Sequence, residues 1–257
     1  MAMEFTTIVH FRELGGCKTA DGRAIRPGLL YRSGELCHVS DDEHAVLESL
    51  GIDTVFDLRS AKDHANKPDR PGSYRVVCCP LAAPERECGE RFRNPADYFD
   101  KMRTADEHLY NFRFHAFASD YLEFAYNRKT LSQIFAALDR HETLLVHCFG
   151  GKDRTGIVSM LIMAALGCDY ETCKRNYMLH NEITREETAM YLDMLRKQGL
   201  TDWAEKIALL GFKAWEDLFD AAWYSVFDLY NSVESYLEDQ FGVTAEQIAD
   251  WRSYYLE

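Results

Sequence analysis

A cysteine and an arginine with five residues between them, Cys148-Phe149-Gly150-Gly151-Lys152-Asp153-Arg154, lie between the apolar run Leu144-Leu145-Val146 and a second run that begins at Ile157. This order predicts a strand, a tight loop and a helix. The glycines let the loop amides turn inward around one centre, and such a nest suits a phosphate. A helix starting near Thr155 adds the positive end of its dipole, and the Arg154 guanidinium can fork two hydrogen bonds to phosphate oxygens. The same field favours the thiolate at Cys148, which makes that sulfur a nucleophile. A small buried cysteine before a glycine turn is the plainer alternative. It gives no reason for the glycines, the arginine and the helix start to coincide.

The wording His147-Cys148-Phe149-Gly150-Gly151-Lys152-Asp153-Arg154-Thr155-Gly156 resembles the signature of the cysteine-dependent phosphatases. It is closest to the bacterial and fungal tyrosine phosphatases of broad specificity, whose loop reads HCxAGKDRTG. Gly150 stands where that signature has Ala, a change expected to be harmless or slightly loosening. His10-Phe11-Arg12-Glu13-Leu14-Gly15-Gly16 resembles the family's NxRDLGG opening, with His10 for Asn and Glu13 for Asp. Gly28-Leu29-Leu30-Tyr31-Arg32-Ser33-Gly34 matches its GxLYRSG segment, Asp57-Leu58-Arg59 its DLR, and the tail from Ser232 to Ile248 its ending. The resemblance therefore covers most of the chain. It implies an α/β, three-layer cysteine-phosphatase-like fold, with a short central sheet of about four or five strands, helices on both faces and a C-terminal helical lid. Residues 1–257 read as a single domain, with 170–230 as the helical cap.

The resemblance further implies a phosphomonoesterase acting on phosphotyrosine, with phosphoserine, phosphothreonine and phosphoinositides as further substrates, through a phosphocysteine that water hydrolyses. No metal or cofactor is required. Arg154 and the amides of Phe149, Gly150, Gly151 and Lys152 through Arg154 would hold the equatorial oxygens. His147 would orient Cys148, and Thr155 would donate its hydroxyl to the departing sulfur; strand-end and helix-cap duty are the competing readings. Lys152 adds a cation beside the phosphate, as in relatives that accept phosphoinositides, unless it is a solvated loop lysine. No Trp-Pro-Asp occurs in the chain, so the proton donor of the better-known tyrosine phosphatases has no counterpart. Asp153 is the preferred general acid and Asp57 the alternative, with Asp57 and Arg59 otherwise an ion pair that fastens a loop. Arg12 and Arg32 read as turn or surface cations on spacing alone, and as braces of the loop or phosphate ligands on the resemblance.

The composition narrows the partners. A net charge of -13, from 29 basic and 42 acidic residues, argues against nucleic acid and against general attraction to an anionic membrane. A phosphotyrosine protein or a phosphoinositide would be found through the pocket instead. The most apolar stretch, 157–166, is too short to span a bilayer. Met1 to Phe5 lacks a secretory pattern, which points to the cytoplasm, with export by a specialised route left open. Eight cysteines without regular spacing, two of them adjacent at Cys78-Cys79, fit reduced core thiols better than disulfides or zinc. The sequence holds no reading of the oligomeric state.

The remaining elements follow from period and punctuation. Asp21-Gly22 between extended runs reads as a hairpin. Ser40 and Glu43 read as a capping box before a short helix ended by Gly51. Strands are expected at 54–60 and 74–80, a polar connection between Pro84 and Asn94, and helical pattern from Asp97 to Arg140 with its aromatics as core. Helices are expected over 156–166, 170–179, 185–198, 202–210 and 213–230, with Thr244 and Gln247 as a second capping box. Two other functions use the same residues differently. A sulfurtransferase or thiol reductase also carries a loop cysteine, but without the Lys-Asp-Arg-Thr-Gly run and, for a reductase, with a resolving cysteine nearby. A non-catalytic phosphate-binding relative would not need Cys148, Asp153 and Arg154 together.

Overall fold

A computed structural model describes residues 5–81 and 102–257. Five short strands form one sheet in the order β1-β2-β5-β3-β4: β1 (Arg12–Glu13), β2 (Leu30–Ser33), β3 (Thr54–Asp57), β4 (Arg75–Cys78) and β5 (Leu144–His147). Only β1 runs antiparallel to its neighbour, so the strand that feeds the loop is central, parallel to β2 and β3. The strand period sorts its side chains. Leu144 and Val146 join Leu30 and Phe56 in the large core on one face, while Leu145 joins Tyr31 and Val55 in a smaller core on the other. Parallel pairing also brings Ser33, Asp57 and His147 to one carboxyl edge, the place where open α/β sheets gather their chemistry.

The hairpin, the two flanking strands and the three-layer arrangement follow the expectation. Helix α1 (Asp41–Ser49) supplies Leu47 to the smaller core, and α2 (Ala61–Asn66) follows β3. The Ser40 cap is half of what was expected. Its hydroxyl accepts from the Glu43 amide at 3.3 Å, but the Glu43 carboxylate turns to Thr6 and Thr7 rather than back to Ser40. The expected connection between Pro84 and Asn94, with Cys88, Tyr98 and Phe99, lies outside the described residues. Of the single helical stretch expected to Arg140, the described part is two helices, α3 (Glu107–Ala125) and α4 (Arg128–Asp139). The amides opening each are capped by Asp106 and Asn127, and these short polar side chains end one helix and begin the next.

Helix α5 (Asp153–Ala165) leaves the loop, and every residue from Thr155 to Ala165 is buried, as its all-round apolar pattern requires. Beyond it come α6 (Tyr170–Ile183), α7 (Arg185–Lys197), α8 (Asp202–Phe212), α9 (Glu216–Tyr230), α10 (Val233–Phe241) and α11 (Ala245–Tyr255). The apolar stripe of α9, with Leu218, Phe219, Ala222, Trp223 and Val226, packs into the main core. Helices α7 and α8 instead form a small separate core with Met102 and Ala105, through Leu195, Ala204, Ile207 and Ala208. The Thr244–Gln247 capping box is present on both sides. The seven described cysteines are free, and no described helix is long and apolar enough to cross a membrane.

Two loop glycines make opposite demands. Gly151 has φ +64, and a Cβ there would meet the carbonyl carbon and oxygen of Ser33 at 2.6 Å. At Gly150 a Cβ would meet nothing within 4 Å, so the alanine of the family signature fits this chain. Gly150→Ala should therefore leave the midpoint of thermal unfolding unchanged or slightly raised. Gly151→Ala should lower stability by about 1–3 kcal/mol and displace the loop, read by calorimetry on both variants.

Candidate active site

The loop from Cys148 to Arg154 is held from outside by its carbonyls. The Phe149 carbonyl accepts the Glu35 amide at 3.0 Å, and the Lys152 carbonyl accepts the Gly156 amide at 2.8 Å. The Gly151 carbonyl accepts Nη2 of Arg32 at 2.9 Å, and the Cys148 carbonyl faces Nδ1 of His147 at 3.3 Å. With the carbonyls turned outward, the amides face the other way. Among the described residues no protein acceptor takes any amide from Phe149 to Arg154. A run of donors at the amino end of a helix, around a cysteine, is an anion-binding nest built into the backbone.

Arg32 and Arg12 face each other across β1 and β2, and Arg32 is 1% exposed. Neither is a surface cation. Arg32 donates to the Asn176 side-chain oxygen at 2.8 Å as well as to Gly151, and Arg12 donates to the Asn176 and His10 carbonyls, each at 3.2 Å. Burial pushes Arg32 down to about 10, and burial with the neighbouring Arg32 pushes Arg12 well below the usual range. Arg32 is bonded to the loop directly, and Arg12 meets it through the shared Asn176. Asn176, on α6, is the residue through which they act, and nothing in its sequence context marks it.

A second network lies behind His147. Asp57 is buried, and both its oxygens are engaged. Oδ1 accepts from the Arg59 amide and Nε, each at 2.9 Å, and Oδ2 from Arg59 Nη2 and His64 Nδ1, each at 2.8 Å. Burial would raise the Asp57 carboxyl, but Arg59 and the neighbouring His147 hold it at about 2. Asp69 completes the arrangement, taking Arg59 Nη2 on Oδ1 and His147 Nε2 on Oδ2, both at 2.8 Å. Arg59 thus joins Asp57, Asp69 and, at 3.3 Å, Glu35. Asp57, His64 and Asp69 converge closely enough to ligate a metal, but the Arg59 guanidinium already bridges both carboxylates. Glu35, Cys37 and His38 form a second convergent group, with Glu35 again committed to Arg59. Asp69 went unnoticed in the sequence because it stands in the loop Lys67-Pro68-Asp69-Arg70-Pro71-Gly72, where an acidic residue reads as solvated.

The loop side chains divide three ways. Arg154 sends Nη1 to the Leu58 carbonyl at 3.1 Å, which leaves its remaining donors for an anion. Phe149 is 61% exposed at the rim. Thr155 is buried with its hydroxyl unpartnered, and Cys148 is 2% exposed. Asp153, part-exposed in the first turn of α5, accepts a short hydrogen bond from the Tyr121 hydroxyl, which is within 2.6 Å of the Tyr177 hydroxyl. Burial, with Asp153 beside it, pushes the Tyr121 phenol well above its usual range, so this O–H stays a donor. Helical spacing made Tyr121 a core aromatic. It is one, but its polar tip reaches the site. Lys152, expected beside the phosphate, is 3% exposed and turned toward α8, where its ammonium meets the Leu210, Gly211 and Lys213 carbonyls at 3.0, 3.0 and 2.9 Å.

The pattern of the tyrosine phosphatase family matches residues 3–257 of this chain. Triple specificity protein phosphatase PtpB of Mycobacterium tuberculosis is 26% identical over 255 residues, covering 90% of this chain and 90% of that protein. A Cupriavidus necator protein assigned by name to the tyrosine-protein phosphatases is 30% identical over 256 residues, covering 99% of this chain and 88% of its own length. The solved structure of P. aeruginosa TpbA is 18% identical, covers 74% of this chain and 90% of its own, and superposes only loosely, with a TM-score of 0.35.

Beside these arginines, the His10 and His180 rings meet at a tilt, with centroids 4.5 Å apart. Burial, with the nearby Arg12, Arg32 and Lys152 cations, lowers His10 to about 4, and burial with His10 and Lys152 lowers His180 to about 3. Both are neutral when folded, whereas the unfolded chain protonates them below about 6.5. Between that value and the folded values the unfolded state binds more protons, so stability falls as pH falls. The thermal midpoint should drop from about pH 6.5 to about pH 4.5, above the range in which Asp57 titrates, and His180→Gln should flatten that slope. A midpoint that stays level across this range in the native chain would refute the assignment.

Proposed function

The chain belongs to the tyrosine phosphatase family, and on that premise we propose that it hydrolyses phosphotyrosine esters by in-line attack of Cys148 on phosphorus. The observation that carries this reading is the run of unpartnered amides from Phe149 to Arg154 around a buried cysteine, held open by outward carbonyls. These donors and Arg154 take the three equatorial oxygens, where the transferring group concentrates its charge. The S–P bond forms as the P–O bond to the tyrosine oxygen breaks, leaving a phosphocysteine; water then attacks phosphorus and the sulfur departs. The buried Thr155 hydroxyl, without a protein partner, is placed to serve the departing sulfur.

The leaving phenoxide takes its proton from Asp153. Its competitor, Asp57, is buried and has both oxygens engaged by Arg59 and His64. Asp153 has one face open to solvent beside the loop and is steadied by the Tyr121 hydroxyl. A phosphoinositide reading leans on Lys152 as a headgroup ligand, and that ammonium is engaged elsewhere, so phosphotyrosine protein is the preferred substrate, with phosphoserine and phosphothreonine in reach of the same loop. The domain is one unit over 1–257, with 170–230 as its helical addition.

Released phosphate from phosphotyrosine peptide, phosphoserine peptide and short-chain phosphoinositide, with Cys148→Ser as the blank, tests the reading directly. Phosphotyrosine should be hydrolysed fastest, and Cys148→Ser should abolish release from all three; faster lipid turnover would reassign the substrate. Asp153→Asn should slow an aryl phosphate with a poor leaving group by about 10²–10⁴, and one with a good leaving group far less. Equal losses on both would remove Asp153 from the acid role.

A further inference from the structure

The carboxyl end of α8 is capped almost entirely by side chains from elsewhere. The last carbonyls of a helix have no partner within it and must be satisfied from outside. Here Trp215 Nε1 donates to the Leu209 carbonyl at 3.0 Å, His180 Nε2 meets the Phe212 carbonyl at 2.9 Å, and Asn181 Nδ2 donates to the Ala214 carbonyl at 2.9 Å. The remaining three, on Leu210, Gly211 and Lys213, are all taken by Lys152. An ammonium has three N–H groups and no more. With three carbonyls on it and Asp153 Oδ1 at 3.3 Å as its counter-ion, Lys152 is saturated. A phosphate oxygen could be reached only by releasing a carbonyl, one of which belongs to the fully buried Leu210.

We infer that Lys152 is a positioning residue that pins the carboxyl end of α8 to the phosphate-binding loop and orients Asp153, and that it is not a ligand of the substrate phosphate. A cation at a helix carboxyl end is favoured by the dipole as well as by the bonds themselves. The same ammonium meets Asp153 on the loop side, so the seat of α8 and the position of the proton donor are set by one group. His180 is held neutral beside it, which spares the site a second positive charge. Helices α7 and α8 add a reason for a peg. Their own core is small and separate from the main one, and the Lys152 ammonium ties the end of α8 directly to the loop.

The test separates this role from phosphate binding. Amide hydrogen exchange over 209–214 is measured in the native chain, Lys152→Met and Lys152→Arg, with 144–146 and α5 as internal controls of folding. Exchange in that segment should speed up about tenfold or more in Lys152→Met, with the controls unchanged and Lys152→Arg intermediate. In a Cys148→Ser background, the Kd for inorganic phosphate, read by calorimetry, should shift less than about threefold on Lys152→Met. Unchanged exchange over 209–214, or a phosphate affinity weakened tenfold, overturns the proposal. The role given to Asp153 rests on the phosphatase reading, and there Lys152→Met should lower kcat with little change in KM. Absence of turnover in the native chain would fail that reading alone, because exchange and phosphate binding are read without it.

Discussion

A peptide loop that turns its amides toward one point must turn its carbonyls away from it, and the rest of this fold is arranged to meet that requirement. Four of the loop's carbonyls find donors, from His147 on β5, Glu35 after β2, Arg32 within β2 and Gly156 in the first turns of α5. Without these bonds the loop would collapse onto its own amides, since unpaired backbone groups in a buried site are costly. The tight approach of Gly151 to Ser33 is part of the same requirement. Only a residue without a Cβ brings the loop close enough for Arg32 to reach its carbonyl.

The bracing groups are charged and buried, which is expensive unless they are paired. The two networks solve this differently. Around Arg59 one guanidinium bridges three carboxylates, Asp57, Asp69 and Glu35, and ties them into one network behind His147. Around Arg12 and Arg32 no carboxylate is supplied by the described residues; the acceptors are carbonyls and the Asn176 amide. That side of the loop keeps an excess of positive charge, with His10 and His180 held neutral within it. An anion arriving at the amides would gain from this imbalance, which is fixed in the fold beforehand.

Separation of roles among adjacent loop residues follows from helix geometry. Arg154, Asp153 and Lys152 are consecutive, yet a chain entering a helix points successive side chains in different directions. Arg154 reaches toward Leu58, Asp153 toward Tyr121, and Lys152 toward the end of α8. Three charged residues in a row therefore point to three different partners without competing for one space. The exposed Phe149 is the loop's apolar contribution to the surface.

Much of this was legible in the sequence because it is local. The strand, glycine loop and helix start around Cys148 are set by residues within a few positions of one another, and the buried α5 by its all-round apolar pattern. The helical pattern read from Asp97 to Arg140 did not mark the break between α3 and α4, although its signal, Asn127 as a cap, is local too. Partner choice was decided only by the tertiary structure. Whether Arg32 braces or binds, whether Asp57 donates a proton or holds a loop, and where Lys152 sends its ammonium depend on Asn176, Arg59 with His64, and the α8 carbonyls. A charged side chain carries its chemistry in its own atoms. Its role is set by what lies within about 3 Å of it, and for Arg32 and Lys152 the sheet and helix packing bring those neighbours from far along the chain.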